Sequence, residues 1–450
     1  MMRDPGRGGR WTLVLATVAL ALAGSVEAAT KPRAVMIVPF DDSALPADER
    51  WVGEGIEELL ALGFAQHPAF VQVDRARMRG VGRVETWGEP VVVQTARTLH
   101  VDAALFGHVE RKGTDYVIQP RLLDLKTPSA EPISLEPITA GENEWLPKVA
   151  TLATTYARTL KVPLTDAEAK RMDKASQPTR SLKAYELFAR AQMAASQKPG
   201  QEGNETAVDL LARAIEADPN FVVAQYTLGT VHQELGNRWK AAAQFRASTQ
   251  LDASYPEPYK ALGDLFLAAP RRLFEQAVEA YETAIRLRPF YGEAWVGLGE
   301  AKAAKGDVDG AISAYNKALA YNPINPRVHM SLGKIYYGEK GLYYESVTAY
   351  KKAIELDPTA VEARMGLGEV YEDKGLYKEA LEEYKRVIEL DSKHSGAMYN
   401  LALVYEKVDP KEAVAQWERY IALASQLPSE KDWVDVARQH LRKLKSQIKD

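Results

Sequence analysis

Residues 292–325 read GEAWVGLGEAKAAKGDVDGAISAYNKALAYNPIN, and this stretch decides the fold because its pattern recurs over about half of the chain. Leu298 and Gly299 share one face of a predicted first helix, while Ala311 and Tyr315 share one face of a predicted second helix. Two amphipathic helices of this length bury their apolar faces against each other and against neighbouring copies. The stretch therefore predicts a helical hairpin that stacks on others of its kind.

The glycine at the close-packing position recurs every 34 to 36 residues. It stands at Gly229, Gly263, Gly299, Gly333 and Gly368, with Ala402 in the same place. A second set is expected to end the first helix in the left-handed conformation: Gly236, Gly306, Gly341 and Gly375. We predict seven units and a capping helix, at 182–221, 222–255, 256–291, 292–325, 326–360, 361–394, 395–427 and 428–450.

This recurrence resembles the tetratricopeptide repeat (TPR), a helix–turn–helix unit of 34 residues, and several positions recur together in most of the units. The resemblance implies an all-α superhelix over 182–427. Stacked hairpins that rotate by a small constant angle leave a concave groove, and one side of each first helix lines it.

Upstream of the repeat, predicted strands alternate with predicted helices. The strands are expected at 34–40, 71–74, 103–110 and 116–125, and the helices at 47–66, 91–99 and 145–160. In the first of these helices, Glu54, Glu57 and Glu58 are expected to face water. A charged stretch at 164–181 is read as a linker that holds a short helix.

Three stretches of this front block resemble the amino-terminal domain of the Tol-system protein TolB. They are IVPF at 37–40, GEGIEELLALG at 53–63 and LHVDAALFGHVERKGTDYVIQPRLLD at 99–124. The predicted fold class is therefore α+β and multidomain: a small TolB-like α/β domain at 30–163 followed by the TPR superhelix. The resemblance also implies a cell-envelope protein without an attached effector domain.

The first 28 residues have the pattern of a secretory signal peptide. Arg3, Arg7 and Arg10 precede an apolar run at 11–23, and small residues surround Ala28. The run is shorter than the ~20 residues that span a bilayer, so a retained anchor is the less favoured alternative. Cleavage would leave a periplasmic protein with no membrane span.

The composition excludes several kinds of chemistry. The chain has no cysteine, which excludes disulfides, thiol nucleophiles and thiolate metal sites. Its 57 basic and 61 acidic residues give a net charge of −4, without the basic excess of a nucleic-acid binder. His100 with Asp102, and His108 with Glu110, could hold a zinc ion, but each is read as a strand-edge histidine beside a solvated carboxylate. We predict no enzyme, no catalytic residue, no metal and no cofactor.

The functional prediction rests on the side of the first helices that faces away from the core. Fifteen residues there form the predicted groove, with apolar members in the middle and mainly acidic members around them. They are Tyr226, Glu257, Lys260, Asp264, Glu293, Val296, Glu300, Arg327, Met330, Lys334, Glu362, Met365, Glu369, Glu372 and Tyr399. Methionine and tyrosine suit adaptable and anchored contacts, respectively.

We therefore predict an exported protein–protein interaction scaffold for envelope assembly or tethering. Its groove would bind a protein or peptide segment that carries basic and apolar residues. The alternative is that the front α/β domain binds or senses a small molecule or glycan. For any single groove carboxylate, the competing interpretation is a solvated surface charge.

Overall fold

The computed structural model describes residues 31–73, 75–80, 87–126, 129–270 and 273–448. The predicted signal peptide lies outside these residues. The fold class is confirmed: a small mixed-sheet domain precedes a long all-helical superhelix of stacked hairpins. None of the helices in the described part of the chain has the length and hydropathy that crossing a bilayer requires.

One mixed sheet of six strands organises the described part of the front domain. The strands are β1 Arg33–Ile37, β2 Phe70–Gln72, β3 Ala103–Lys112, β4 Asp115–Asp124, β5 Ile133–Ser134 and β6 Ile138–Gly141. They lie in the order β2-β1-β3-β4-β5, and β6 also pairs with β4. β1 is parallel to both of its neighbours, whereas β3 and β4 form the predicted antiparallel hairpin.

Helices cover both faces of the sheet. They are α1 Val52–Phe64, α2 Arg75–Gly80, α3 Glu89–Thr98, α4 Trp145–Val149, α5 Leu152–Thr159 and α6 Asp166–Ala175. The single helix predicted at 145–160 is wrong, because α4 ends at Val149 and α5 begins at Leu152. Successive residues of β1 point to opposite faces: Val35 and Ile37 join the core with α1, α5 and α6, and Ala34 and Met36 join the core with α3.

Fifteen helices follow in the described part of the repeat, arranged as seven antiparallel hairpins and a capping helix. They are α7 Leu182–Gln197, α8 Gln201–Ala217, α9 Val222–Glu234, α10 Arg238–Leu251, α11 Glu257–Leu267, α12 Phe274–Leu287, α13 Gly292–Lys305, α14 Val308–Tyr321, α15 Pro326–Gly338, α16 Tyr343–Leu356, α17 Val361–Asp373, α18 Tyr377–Leu390, α19 Ser395–Val408, α20 Pro410–Ala424 and α21 Lys431–Ile448.

Both predicted roles of the repeat glycines are confirmed. The four glycines expected to end the first helices have φ angles between 64° and 85°, in the left-handed region. At the close-packing position, a Cβ on Gly299 would lie only 2.6 Å from the ring of Tyr315. A Cβ on Gly263 would lie 2.7 Å from the ring of Tyr281. Glycine therefore lets the two helices of a hairpin approach each other.

The front domain and the first hairpin share one hydrophobic core, which extends from Val35 to Val231. The Tyr185 hydroxyl of α7 donates a hydrogen bond of 2.5 Å to the Gly55 carbonyl of α1. Within the stretch read as a linker, α6 packs on α1, and the Ser176 hydroxyl donates to the Leu59 carbonyl at 2.9 Å. The domain boundaries remain predictions, but the packing is continuous across them.

The front domain also contacts the repeat at a second place, far along the sequence. Arg77 of α2 donates to the carbonyls of Ile324 at 3.5 Å and Leu356 at 3.4 Å. The Ile324 side chain packs against the apolar cluster that contains Met36 and Phe106. The sheet domain is therefore joined both to the first hairpin and to the ends of α14 and α16.

Candidate functional site

The first helices of the hairpins form the inner face of the repeat. Neighbouring first helices contact each other directly, as α9 does with α11, α11 with α13 and α15 with α17. Second helices of adjacent hairpins pack less closely within the described residues. All fifteen residues of the predicted groove lie on first helices. We call this surface the inner face.

The groove residues differ in how far they are exposed. Five are exposed: Glu293, Arg327, Lys334, Glu362 and Glu369. Nine are half-buried: Tyr226, Glu257, Lys260, Asp264, Glu300, Met330, Met365, Glu372 and Tyr399. Val296 is buried in the core beside Tyr315. The structure therefore leaves charged side chains along much of the inner face.

Both tyrosines of the predicted groove pack against other aromatic rings of the chain. Tyr399 meets Trp417, Tyr420 and Trp433 with ring centroids 5.0, 5.3 and 5.4 Å away. Tyr226 meets Tyr255 edge-to-face at 5.8 Å. These contacts occupy the two ends of the predicted groove.

The middle of the groove contains its apolar part. Met330 of α15 and Met365 of α17 pack, half-buried, against one cluster that includes Tyr350. The Tyr350 ring lies between two helices at positions without side chains, since a Cβ on Gly333 would lie 2.9 Å from it and one on Gly366 only 2.5 Å. Both methionines therefore pack on one apolar cluster, and their role in binding stays a prediction.

Most basic groove residues are paired with groove carboxylates. The Lys260 ammonium lies 2.7 Å from Asp264, and the Arg327 guanidinium lies 2.6 Å from Glu300. Lys334 lies near Glu369 and lowers the pKa of that carboxyl, although the net shift is upward. The inner face therefore has a net negative character around the methionines.

Burial raises the pKa of both Glu369 and Glu372 above the ordinary value. The neighbouring Asp373 carboxylate adds to each shift, because like charges disfavour ionisation. Lys334 opposes the effect at Glu369, and Lys407 opposes it at Glu372. Three carboxylates thus lie close together with few cations to neutralise them.

The sequence pattern predicts a buried ring at the Tyr315 position of each hairpin, but it does not predict a role for the hydroxyl. Tyr281 and Tyr384 are fully buried, but their hydroxyls donate to groove carboxylates. Tyr281 reaches Asp264 at 2.8 Å, and Tyr384 reaches Glu372 at 3.0 Å. The second hairpin has Phe245 at this position, so the tyrosine of the later hairpins could have indicated a role for the hydroxyl.

The expectation that Glu54, Glu57 and Glu58 face water is wrong. The three carboxylates, which we call the α1 acidic cluster, are buried because α7 packs on α1 and the Arg75 side chain of α2 lies against them. The Arg75 guanidinium lies 3.2 Å from Glu54, 2.9 Å from Glu57 and 2.5 Å from Glu58. Gln192 of α7 donates to Glu58 at 2.9 Å.

Burial raises the pKa of Glu54 to about 7, with Arg75 opposing the shift and Glu58 adding to it. Burial raises the pKa of Glu57 well above its usual range in the same way. Asp42, whose carboxylate accepts a hydrogen bond from the Gly53 amide at 3.0 Å, has its pKa raised by burial to about 6. One guanidinium, that of Arg75, therefore forms ion pairs with all three carboxylates of the α1 acidic cluster.

The two histidine–carboxylate pairs are not gathered into a ligand set. His100 and His108 are exposed, and Asp102 accepts a hydrogen bond from the Ala34 amide at 2.7 Å. Within the described residues, no group of three or more His, Cys, Asp or Glu side chains is placed to hold a metal ion.

Comparison with known proteins identifies the repeat. The model of the TPR repeat matches residues 299–340 and 337–375, and that of the tetratricopeptide repeat matches residues 361–394. The chain is 25% identical to superkiller protein 3 of Schizosaccharomyces pombe, over 26% of this chain and 11% of that protein. It is 25% identical to protein O-mannosyl-transferase TMTC1 of Mus musculus, over 28% of this chain and 14% of that protein.

Several solved structures are similar to parts of this chain. YrrB, a TPR protein with an unusual peptide-binding site, is 22% identical, with 44% of this chain and all of that chain covered and a TM-score of 0.38. MamA is 26% identical, with 37% and 95% covered and a TM-score of 0.33. The Cut9–Hcn1 assembly is 16% identical, with 66% and 63% covered and a TM-score of 0.44.

Proposed function

We propose that this chain, whose hairpins include tetratricopeptide repeats, is a scaffold that binds a partner segment on its inner face. One observation carries the proposal: Met330 and Met365 pack, half-buried, on the same apolar cluster at the middle of the inner face, with carboxylates on α17 and α13. A segment that presents apolar side chains to the methionines and basic side chains to the carboxylates fits this surface.

The charge on the inner face favours a basic partner. Glu369, Glu372 and Asp373 repel one another where they are partly removed from water. A lysine or arginine brought between them relieves this repulsion, so its binding is worth more than at an ordinary solvated surface. The two methionines supply an adaptable apolar contact, which tolerates different side chains at the same place.

A pair of designed peptides tests the proposal. A labelled helical peptide of leucine and lysine should bind in fluorescence anisotropy, and its affinity should fall as salt is added, because part of the attraction is electrostatic. A matched peptide of leucine and glutamate should bind at least about tenfold more weakly. The double variant Met330→Lys/Met365→Lys should lose most of the binding of the basic peptide.

The control variant adds the same charge away from the inner face. Tyr344→Lys/Leu376→Lys changes two exposed residues outside the first helices and should leave the affinity unchanged. Equal binding of both peptides, or unchanged binding by the methionine variant, would show that the inner face is not the docking surface.

We also propose that the protein acts after export, as a binding module without catalysis. Support for export comes from the signal-peptide pattern of residues 1–28 and the absence of cysteine. Amino-terminal sequencing of protein recovered from the envelope should begin close to residue 29. A chain that retains Met1 would contradict cleavage. The likeness of the sheet domain to TolB is part of the same proposal and rests on the three stretches quoted above.

A further inference from the structure

A cavity lies away from the inner face, where the first two hairpins meet. Its volume is about 610 Å³, within the ~300–1,000 Å³ typical of small-molecule sites. Residues of α8 line one wall, and the end of α9 with the start of α10 lines the other. The lining residues are Gly200, Gln201, Asn204, Glu205, Val208, His232, Glu234, Leu235, Asn237 and Lys240.

Two helices begin at this cavity, and neither has a side chain that caps its first amides. Gly200 precedes α8 and Asn237 precedes α10, and both residues line the cavity. Free amides at a helix start carry partial positive charge and attract anions.

The first turn of α10 lacks the acidic residue that its later counterparts contain. It contains Arg238 and Lys240, whereas the later second helices α12, α14, α16, α18 and α20 each have an acidic residue in the first turn. Basic residues at a helix start oppose the helix dipole and destabilise the helix. An anion bound at the same place would reverse this unfavourable effect.

His232 supplies an independent sign that a ligand belongs here. Its side chain is only 7% exposed, it lines the cavity, and its Nδ1 atom has no hydrogen-bond partner among the described residues. Phe266 and Tyr336 occupy the same position of later hairpins, so a purely structural role would be met by an aromatic ring. A buried polar atom without a partner costs free energy unless something binds it.

The two carboxylates that line the cavity, those of Glu205 and Glu234, each accept a hydrogen bond from a neighbouring amide side chain. Gln201 donates to Glu205 at 2.9 Å, and Asn204 donates to Glu234 at 3.0 Å. Lys240, by contrast, forms no ion pair with any residue in the described ranges. Burial lowers the pKa of His232, and Lys240 adds to that shift.

We propose that this cavity binds a small organic anion, whose phosphate or carboxylate group lies against Lys240, His232 and the first amides of α10. The cavity is larger than a bare oxyanion, which leaves room for a body about as large as one sugar ring. This site is separate from the inner face and does not depend on the function proposed above.

Three ligands of the same size test the proposal by isothermal titration calorimetry on the full chain. Glucose 6-phosphate and glucuronate carry the two anionic groups, and glucose carries neither. We expect at least one of the two anions to bind, with glucose at least about tenfold weaker. The anion that binds more tightly shows whether the site prefers a phosphate or a carboxylate group. In an NMR titration, the anion should raise the pKa of His232, because the bound charge favours the protonated ring.

Two variants reproduce residues that other hairpins contain at these positions. Lys240→Glu places the residue found at the corresponding place in α16, and His232→Phe places that of α11. Each should weaken anion binding at least about tenfold while leaving the melting temperature unchanged or higher. Lys378→Glu, which makes the same charge change in the first turn of α18, should have no effect.

The outcomes separate this site from the inner face. Met330→Lys/Met365→Lys should bind the anion as the wild type does. Absence of binding by both anions at millimolar concentration would overturn the proposal. So would equal binding of glucose, or undiminished binding by Lys240→Glu.

Discussion

Two acidic helices, α1 and α17, carry similar glutamates in different surroundings. In α1, Glu54, Glu57 and Glu58 are buried around Arg75. In α17, Glu369 is exposed and Glu372 is half-buried on the inner face. The difference comes from what packs outside each helix: α7 and the Arg75 side chain of α2 cover α1, whereas the described residues leave this side of α17 open. The same residue type is therefore structural in one helix and available for binding in the other.

The largest expected effect is the removal of the guanidinium from the α1 acidic cluster. Arg75→Ala leaves three buried carboxylates without a counter-charge, and we expect the free energy of unfolding to fall by about 3–5 kcal/mol. Urea denaturation measures the change. Arg327→Ala is the control, because its guanidinium is 65% exposed beside Glu300 and its loss should matter little. Equal losses would mean that the buried carboxylates of α1 depend on their counter-charge no more than an exposed ion pair of the inner face does.

The second-largest expected effect is a pH dependence of the free energy of unfolding, which comes from Glu54 in α1. Burial raises the pKa of Glu54 to about 7. Between the ordinary glutamate pKa and this raised pKa, the folded chain keeps a proton that the unfolded chain has already released. Stability should therefore decline as the pH rises from about 5 to about 7, by on the order of 1–3 kcal/mol. Glu54→Gln should flatten this slope in urea denaturation at several pH values. A variant with the wild-type slope would show that Glu54 does not titrate in this interval.

A smaller effect is expected where α17 meets the core. Tyr384→Phe removes the hydroxyl that donates to Glu372 and accepts from Asn400, at a cost of about 1 kcal/mol. Tyr350→Phe is the matched control, because no hydrogen bond of the Tyr350 hydroxyl is found among the described residues. Thermal denaturation compares the two. Similar losses would assign the effect to the ring and not to the groove hydrogen bond.

The smallest effect on stability is expected for the exposed carboxylate of α17. Glu369→Gln should change the free energy of unfolding by less than about 0.5 kcal/mol, as is usual at the surface. The same variant should bind the leucine–lysine peptide more weakly in fluorescence anisotropy. A large loss of stability without a change in binding would mean that α17 resembles α1 after all.

The repeat could be predicted from the sequence because its constraints are local and periodic. Gly299 and Tyr315 lie a fixed distance apart in sequence, so each copy repeats the same contact. Glu57 could not be predicted in this way. Its burial depends on Arg75 and α7, whose approach is decided by tertiary packing and not by the amphipathic pattern of α1.

The capping helix shows the same limit. Helical spacing places Trp433, Val436, Leu441, Leu444 and Ile448 of this helix on one apolar stripe, which predicts that they are buried, but Trp433 and Ile448 are 54% and 38% exposed. The buried residues are Val434, Ala437 and Leu444. The pattern alone could not fix how α21 rotates against α20, because that rotation depends on tertiary packing. For the site, the helix positions were predictable, and so is the i,i+4 spacing of Lys260 and Asp264. The pairing of Arg327 with Glu300 joins two helices and depends on how α13 and α15 pack.

The two attachments of the sheet domain affect how the repeat can deform. Stacked hairpins bend and stretch like a spring, because each contacts only its neighbours. Here α7 is fixed to α1 through Tyr185, while Arg77 and Ile324 hold the ends of α14 and α16. The coils between these two anchors cannot lengthen independently of the sheet. We therefore expect the hairpins beyond α16 to deform more than those between the two anchors.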